Sequence, residues 1–208
     1  MRDLYLQYGC GHSAPRTWLN FDASPTLLFE RIPILGRIYS KNRQRFPGYV
    51  RYGDIVKGLP VALSSCKGIY CSHVLEHLSL VDVDLALRHT FQYLKSGGTF
   101  RLVVPDLRRI AEAYISDPSD TAAHRFIEMA GLGQRERARG LVAFLKNWLG
   151  HSVHLWMWDE KSMTAKLREH GFVEVRRAKF GDAEDRRFIE VEDEGRFDGC
   201  LAMQCRKA

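Results

Sequence analysis

The sequence predicts an α/β protein built on a mainly parallel sheet. Three observations carry that expectation. Short apolar runs alternate with helix-patterned stretches through most of the chain. One run, TFRLVVPD at 99–106, is apolar almost without a break, as expected of a central strand covered on both faces. Several runs end on a glycine, an acid or a histidine, the residues a ligand site at strand ends requires. At 208 residues the chain suits one domain, 1–208, with a sizeable core.

Taken in order, LYLQYG (4–9) alternates apolar side chains and closes on a glycine turn, which predicts a first strand. TWLNFD (17–22) is a second, too close to the first for a crossover helix between them. SPTLLFERI opens with a Ser-Pro helix start, and Pro33 and Gly36 interrupt it. YVRYGD (49–54) and GIYCSH (68–73) read as strands three and four. VDVDLALRHTFQYL (81–94) has helical spacing and stops at KSGG before the fifth strand. Helical material fills 107–149. A helix over 159–172 takes Asp159 as its cap and Gly171 just past its end. FVEVRRAKF and GCLAMQCRK close the chain as strands six and seven. The least regular stretches, 23–48 and 116–158, read as insertions bordering a site.

The bulk properties narrow the function. The start of the chain has no apolar stretch of signal-peptide length, and no run reaches the roughly 18 residues of a membrane span. Five cysteines, odd in number and without a C-x-x-C pair, argue against a disulfide framework and for reduced thiols in a cytoplasmic setting. The net charge of +6 leans towards an anionic partner. Residues 31–51 carry six bases and no acid, which reads as a solvated face, a lid, or a patch for an anionic group. Aromatic residues are not interleaved there densely enough to indicate nucleic acid.

The strand ends hold the chemistry. They read Gly9-Cys10-Gly11, Asp22, Asp54, Ser72-His73 and Pro105-Asp106. Glycines let a backbone approach a ligand closely, and an acid on the next strand end can accept hydrogen bonds from both hydroxyls of a ribose. A dinucleotide fingerprint wants a third glycine opening a helix and an acid about 20 residues on. Here Asp22 arrives eleven residues after Gly11, so a ligand with ribose but no pyrophosphate fits better.

In sequence order LQYGCG, TWLNFDASP, YGDI, CSHVLEHL, LKSGG, FRLVVPDL and LREHGF resemble the motifs of class I S-adenosylmethionine-dependent methyltransferases, in particular the small bacterial, type 11-like ones linked to glycan pathways. The likeness runs from about residue 4 to the C-terminus and is weakest across 31–48 and 116–150. Ser96 stands where a proline is frequent, and Cys10 stands inside the glycine turn. The resemblance implies a Rossmann-like, seven-stranded, mostly parallel sheet with an antiparallel last strand and helices on both faces. It implies S-adenosyl-L-methionine as cofactor. Gly9, Cys10 and Gly11 would lie along its methionine part, Asp22 would hold the ribose, and Asp54 and Ile55 would meet the adenine. Ser72 and His73 would stand near the sulfonium. The acceptor it implies is a small molecule or a glycan. Strand four lacks an Asn/Asp-Pro-Pro-aromatic ending, which counts against methylation of nucleobase amines. A relative that keeps the fold without catalysis, as a scaffold or partner protein, is the alternative.

An oxygen or amine acceptor near neutral pH calls for a base, and histidine is the usual choice. The candidates are His73, His151 and His154, with Asp106 behind them. SHVLEHL also spells H-x-x-E-H through His73, Glu76 and His77, a pattern that holds zinc when it lies on one long helix. Because GIYCSH is strand-like, His73 falls at a strand end, away from His77. The expectation is therefore no metal, with Glu76 and His77 tying the next helix to neighbouring backbone.

Overall fold

The computed structural model describes residues 3–32, 45–133 and 153–208. Its elements are β1 (Leu4–Tyr8), β2 (Leu19–Asp22), α1 (Pro25–Glu30), β3 (Arg51–Tyr52), β4 (Cys66–Ser72) and a single 3-10 turn (Leu75–His77). Next come α2 (Leu80–Tyr93), β5 (Leu94–Pro105), α3 (Leu107–Ser116), α4 (Ala122–Met129), α5 (Glu160–Glu169), β6 (Phe172–Arg177), a second 3-10 segment (Arg186–Glu190), α6 (Glu194–Phe197) and β7 (Cys200–Lys207). The seven strands form one sheet in the order β3-β2-β1-β4-β5-β7-β6. Neighbours from β3 to β5 are parallel, and β7 runs antiparallel to both β5 and β6.

The sheet is buried on two faces, which is why its strands read as apolar runs. One layer packs Leu6, Ile69, Leu102 and Met203 against Val83 and Leu87 of α2 and Met163 and Leu167 of α5. The other packs Tyr5, Trp18, Tyr70, Val103 and Ala202 against Phe188. Each such side chain, taken fully out of water, contributes about 1.5–3 kcal/mol. Ser24, Ser79, Asp106 and Asp159 cap α1, α2, α3 and α5 through their side chains, and Asp159 forms a capping box with Ser162.

One charge lies inside this sheet. Arg101, in the middle of β5, is 1% exposed. Its Nε and Nη2 donate to Glu192 Oε1 at 2.7 and 2.6 Å, and its Nη1 to Asp182 and Gln204 at 2.9 and 2.6 Å. Glu192 Oε2 accepts the Gly181 N–H at 2.8 Å.

Two expectations are corrected, and one segment without a stated expectation is ordered. The third strand keeps only two residues instead of 49–54, both exposed at the sheet edge. KSGG does not separate helix from strand: β5 already starts at Leu94, and a register shift against β4 between Cys66 and Gly68 absorbs the irregularity. Residues 181–198 carry no strand or helix pattern in the sequence, yet they form the second 3-10 segment and α6. The helical expectation over 107–149 is met by α3 and α4 as far as 129. Positions 134–149, Pro33, Gly36 and most of the basic run 31–51 lie outside the described residues.

From β1 the chain moves outward through β2 and β3 on one side, and then through β4 and β5 on the other. The ends of β1 and β4 are therefore the switch point, where an open α/β sheet leaves a crevice.

Candidate functional site

The loop after β1 bends sharply because Gly9 and Gly11 both take positive φ, +65° and +52°. Gly9 is required for a second reason. A Cβ at this position would fall well inside the van der Waals radius of Val74 Cγ2. The Cys10 N–H between them donates to Phe21 O at 3.2 Å, tying the bend to β2. Cys10 itself is buried, and burial with Asp22 beside it pushes its thiol up to about 12, so it is chemically inert here.

Asp22 points at this bend. Its Oδ2 accepts the Gly11 N–H at 2.9 Å and its Oδ1 the Ser24 N–H at 2.7 Å. It is nearly buried, and each oxygen keeps lone-pair capacity for a further donor. Opposite, at the end of β4, Ser72 Oγ is buried with no hydrogen-bond partner, and so is the Tyr70 hydroxyl. Arg196 of α6 reaches over the bend, its Nη2 3.9 Å from where a Cβ on Gly11 would stand. Among the described residues no carboxylate pairs with it. Gly9, Gly11, Asp22, Ser72, His73, Val74, His77 and Arg196 together line a cleft of about 620 Å³. A cavity of about 440 Å³ lined by Tyr5, Lys67, Gly97, Arg187 and Arg206 lies at the other end of the strands, away from these groups.

Two expected cofactor contacts are not brought to the bend. Asp54 Oδ1 accepts the Val56 N–H at 3.0 Å and Oδ2 lies 3.7 Å from Lys57, while Ile55 is buried in the main core. Neither lines the cleft. Asp106 caps α3 at Arg108 and meets Arg177 at 2.8 Å, which accounts for its buried carboxylate structurally. His151 lies outside the described residues. His154 does not line the cleft, and its Nδ1 is 2.7 Å from Ala130 O.

His73 is at the cleft wall, with φ +55°, its N–H donating to Val103 O at 2.9 Å. Its Nδ1 lies 3.2 Å from Glu76 Oε1, and its Nε2 lies 3.3 Å from Arg196 O and 3.9 Å from Cys200 Sγ. Cys200 and the Glu76 carboxylate push it up to about 10. Both ring nitrogens of His73 are thus engaged within the protein, Nδ1 by Glu76 and Nε2 by Arg196 O.

No family model and no curated protein matches the sequence. Solved structures do. The chain is similar over 99% of its length to 92% of a SAM-dependent methyltransferase from Methanosarcina mazei, at 15% identity and a TM-score of 0.54. It is similar over its whole length to 84% of a SAM-dependent methyltransferase from Thermotoga maritima, at 14% identity and a TM-score of 0.51. A SAM-dependent methyltransferase from Archaeoglobus fulgidus gives 14% identity over 99% of this chain and 86% of that one, with a TM-score of 0.51. The fold is that of the class I S-adenosylmethionine-dependent methyltransferases. Within this fold the glycine bend, Asp22, Ser72 and His73 converge as their strand-end positions predicted.

Two residues of the cleft, Val74 and Arg196, and one buried beside Ser72 have no local signal in the sequence. Val74 is read as the start of a turn, yet it forms the wall against Gly9. Tyr70 is a strand residue like any other, and its orphaned hydroxyl is visible only in three dimensions. Arg196 comes from the unpatterned segment before β7 and reaches the cleft from the far end of the chain.

Proposed function

We propose that the protein binds S-adenosyl-L-methionine in the glycine-bend cleft and transfers its methyl group to a small-molecule or glycan acceptor. The observation that carries this reading is Asp22, nearly buried, aimed at the bend and anchored by the N–H groups of Gly11 and Ser24. The cleft fits the cofactor on two further counts. A backbone without side chains at Gly9 and Gly11 leaves room for close approach, and the buried hydroxyl of Ser72 lacks a partner. An unsatisfied buried hydroxyl costs about 1–3 kcal/mol, which a bound polar ligand would return.

Asp22 would accept the ribose hydroxyls, and Arg196 with Ser72 would hold the amino-acid end. When bound, the cofactor supplies a methyl already activated on a sulfonium. The chain's contribution is alignment: a rigid bend on one side and the His73–Val74 wall on the other fix the reactants and exclude water. Among the described residues no helix is long and apolar enough to cross a membrane, and all five cysteines are free, which supports a reducing, cytoplasmic setting.

Calorimetric titration with S-adenosylmethionine, with NAD as control, tests this reading on the parent protein and on Asp22→Ala and Asp22→Asn. Binding of the first ligand alone, weakened at least about tenfold in Asp22→Ala, is expected, since a hydrogen bond to a charged group is worth about 1.5–3 kcal/mol. Equal affinity in folded parent and variants would sink the ribose role. Incubation with methyl-labelled cofactor and fractionated cell extract then separates enzyme from scaffold: label appearing in a small-molecule or glycan fraction is expected.

A further inference from the structure

Glu76, His77 and His154 converge, although 77 and 154 are far apart in the chain. One side-chain donor atom from each lies within 4.8 Å of the others. The backbone enforces the meeting. Glu76 O, on the 3-10 turn after β4, accepts the N–H groups of Leu155 and Trp156 at 2.7 and 3.1 Å, laying residues 153–156 against that turn. His154 is held from the other side by its N–H to Gly131 O at 3.1 Å. Gly131, at φ +65°, has no room for a Cβ because the His154 ring occupies that space.

Both histidines present the same nitrogen outward. His77 Nδ1 faces Val153 O at 3.1 Å and His154 Nδ1 faces Ala130 O at 2.7 Å. A ring nitrogen next to a carbonyl must carry the proton, so the lone pair of each neutral ring is at Nε2. Histidines that ligate metals are fixed in the same way, with the second nitrogen donating to a carbonyl or carboxylate. The two rings stand edge to face, 5.0 Å apart. The third member is a fully buried carboxylate with neither oxygen hydrogen-bonded, and His77 Nε2 is 4.0 Å from its Oε1. His73 Nδ1 is 3.2 Å from the same oxygen, without hydrogen-bond alignment.

We propose that Glu76, His77 and His154 form a binding site for a divalent first-row transition ion, of the zinc or ferrous class. Two imidazoles and one carboxylate are the donor set such ions take, and three protein ligands leave open positions. Bonds of about 2.0–2.2 Å space donor atoms roughly 3.3–3.5 Å apart in a tetrahedral site, which small ring rotations reach from the observed separations. Such a site departs from the expectation of no metal: His154, remote in sequence, joins Glu76 and His77, while His73, at the strand end, stays beside Glu76 at 3.2 Å. His77 also lines the glycine-bend cleft, so an ion here would polarise an acceptor oxygen and lower its pKa. That use rests on the methyl-transfer reading; the occupancy of the site does not.

The test strips the untagged protein with a chelator, dialyses it and titrates it with Zn²⁺ and Co²⁺ in the absence of S-adenosylmethionine. One ion per chain is expected by elemental analysis, with Co²⁺ giving visible absorption of low-coordinate character. His154→Ala and Glu76→Gln are each expected to weaken binding by about a hundredfold or more, whereas His124→Ala, on the exposed face of α4, leaves it unchanged. Circular dichroism of the stripped proteins confirms that the variants fold. Binding no tighter in the parent than in His154→Ala, or surviving both substitutions, would overturn the site and leave His73 as the partner of Glu76. Affinity for S-adenosylmethionine, measured on the same stripped protein, reports separately on methyl transfer.

Discussion

Glu192 and Glu76 are withdrawn almost equally from water, with side chains 0% and 1% exposed, and they keep opposite company. Glu192 is saturated: Arg101 grips one oxygen through two nitrogens and the Gly181 N–H takes the other. Glu76 has histidine nitrogens at 3.2 and 4.0 Å and no aligned hydrogen bond. A buried charge that serves only architecture is surrounded by donors, because an unpaired one is costly. The same contrast separates the satisfied side chains of the sheet interior, such as Gln204, from the orphaned hydroxyl of Ser72 at the cleft.

The largest test of this contrast is stability in the metal-free protein. Glu192→Gln strands Arg101 and is expected to cost about 3–5 kcal/mol by denaturant unfolding, whereas Glu76→Gln is expected to cost less than about 1 kcal/mol. Equal losses would show that His73 satisfies Glu76 after all. A smaller effect sharpens the comparison at the cleft. Ser72→Ala removes a buried hydroxyl without a partner, so the unbound protein should gain about 1–3 kcal/mol of stability. Its affinity for S-adenosylmethionine should fall about threefold to tenfold, the worth of one ordinary hydrogen bond.

The smallest effect lies at the surface, where charges are screened. Lys166 and then His170, at 2.8 and 2.9 Å, hold the Asp84 carboxyl below the ordinary carboxylate range. A depressed carboxylate stabilises the fold above the unfolded pKa of about 3.9 and loses that contribution as pH falls through the lower folded value. Asp84→Asn should therefore melt slightly below the parent at pH 7, with the gap closing towards pH 2. A gap that widened in acid would contradict the sign.

A feature is legible in the sequence to the degree that it is local. The glycine bend, Asp22 and the Ser72–His73 strand end can be read because alternation locates a strand and its last residue is then at the sheet rim. The antiparallel last strand came from the family resemblance. What surrounds a strand end depends on residues distant in the chain, and there the pattern is silent. Asp54 and Ile55 follow the shortened β3, Asp54 held by the Val56 N–H and Ile55 in the main core. At His73, Arg196 O and Cys200 Sγ approach Nε2 from the far end of the chain. The pairing of Glu76 and His77 with His154 needed Gly131 to clear the space, a requirement no spacing rule encodes.

The close fit of Val74 against Gly9 has an evolutionary corollary. A methyl of Val74 occupies the space where a side chain at position 9 would begin, so the nucleoside cradle and the histidine-bearing turn share a single hard boundary. Enlarging either residue would push the other out of register, and no drift at one position is neutral for its neighbour. Descendants of this chain should therefore exchange residues 9 and 74 together or hold both fixed, while solvent-facing Leu63, for example, varies freely.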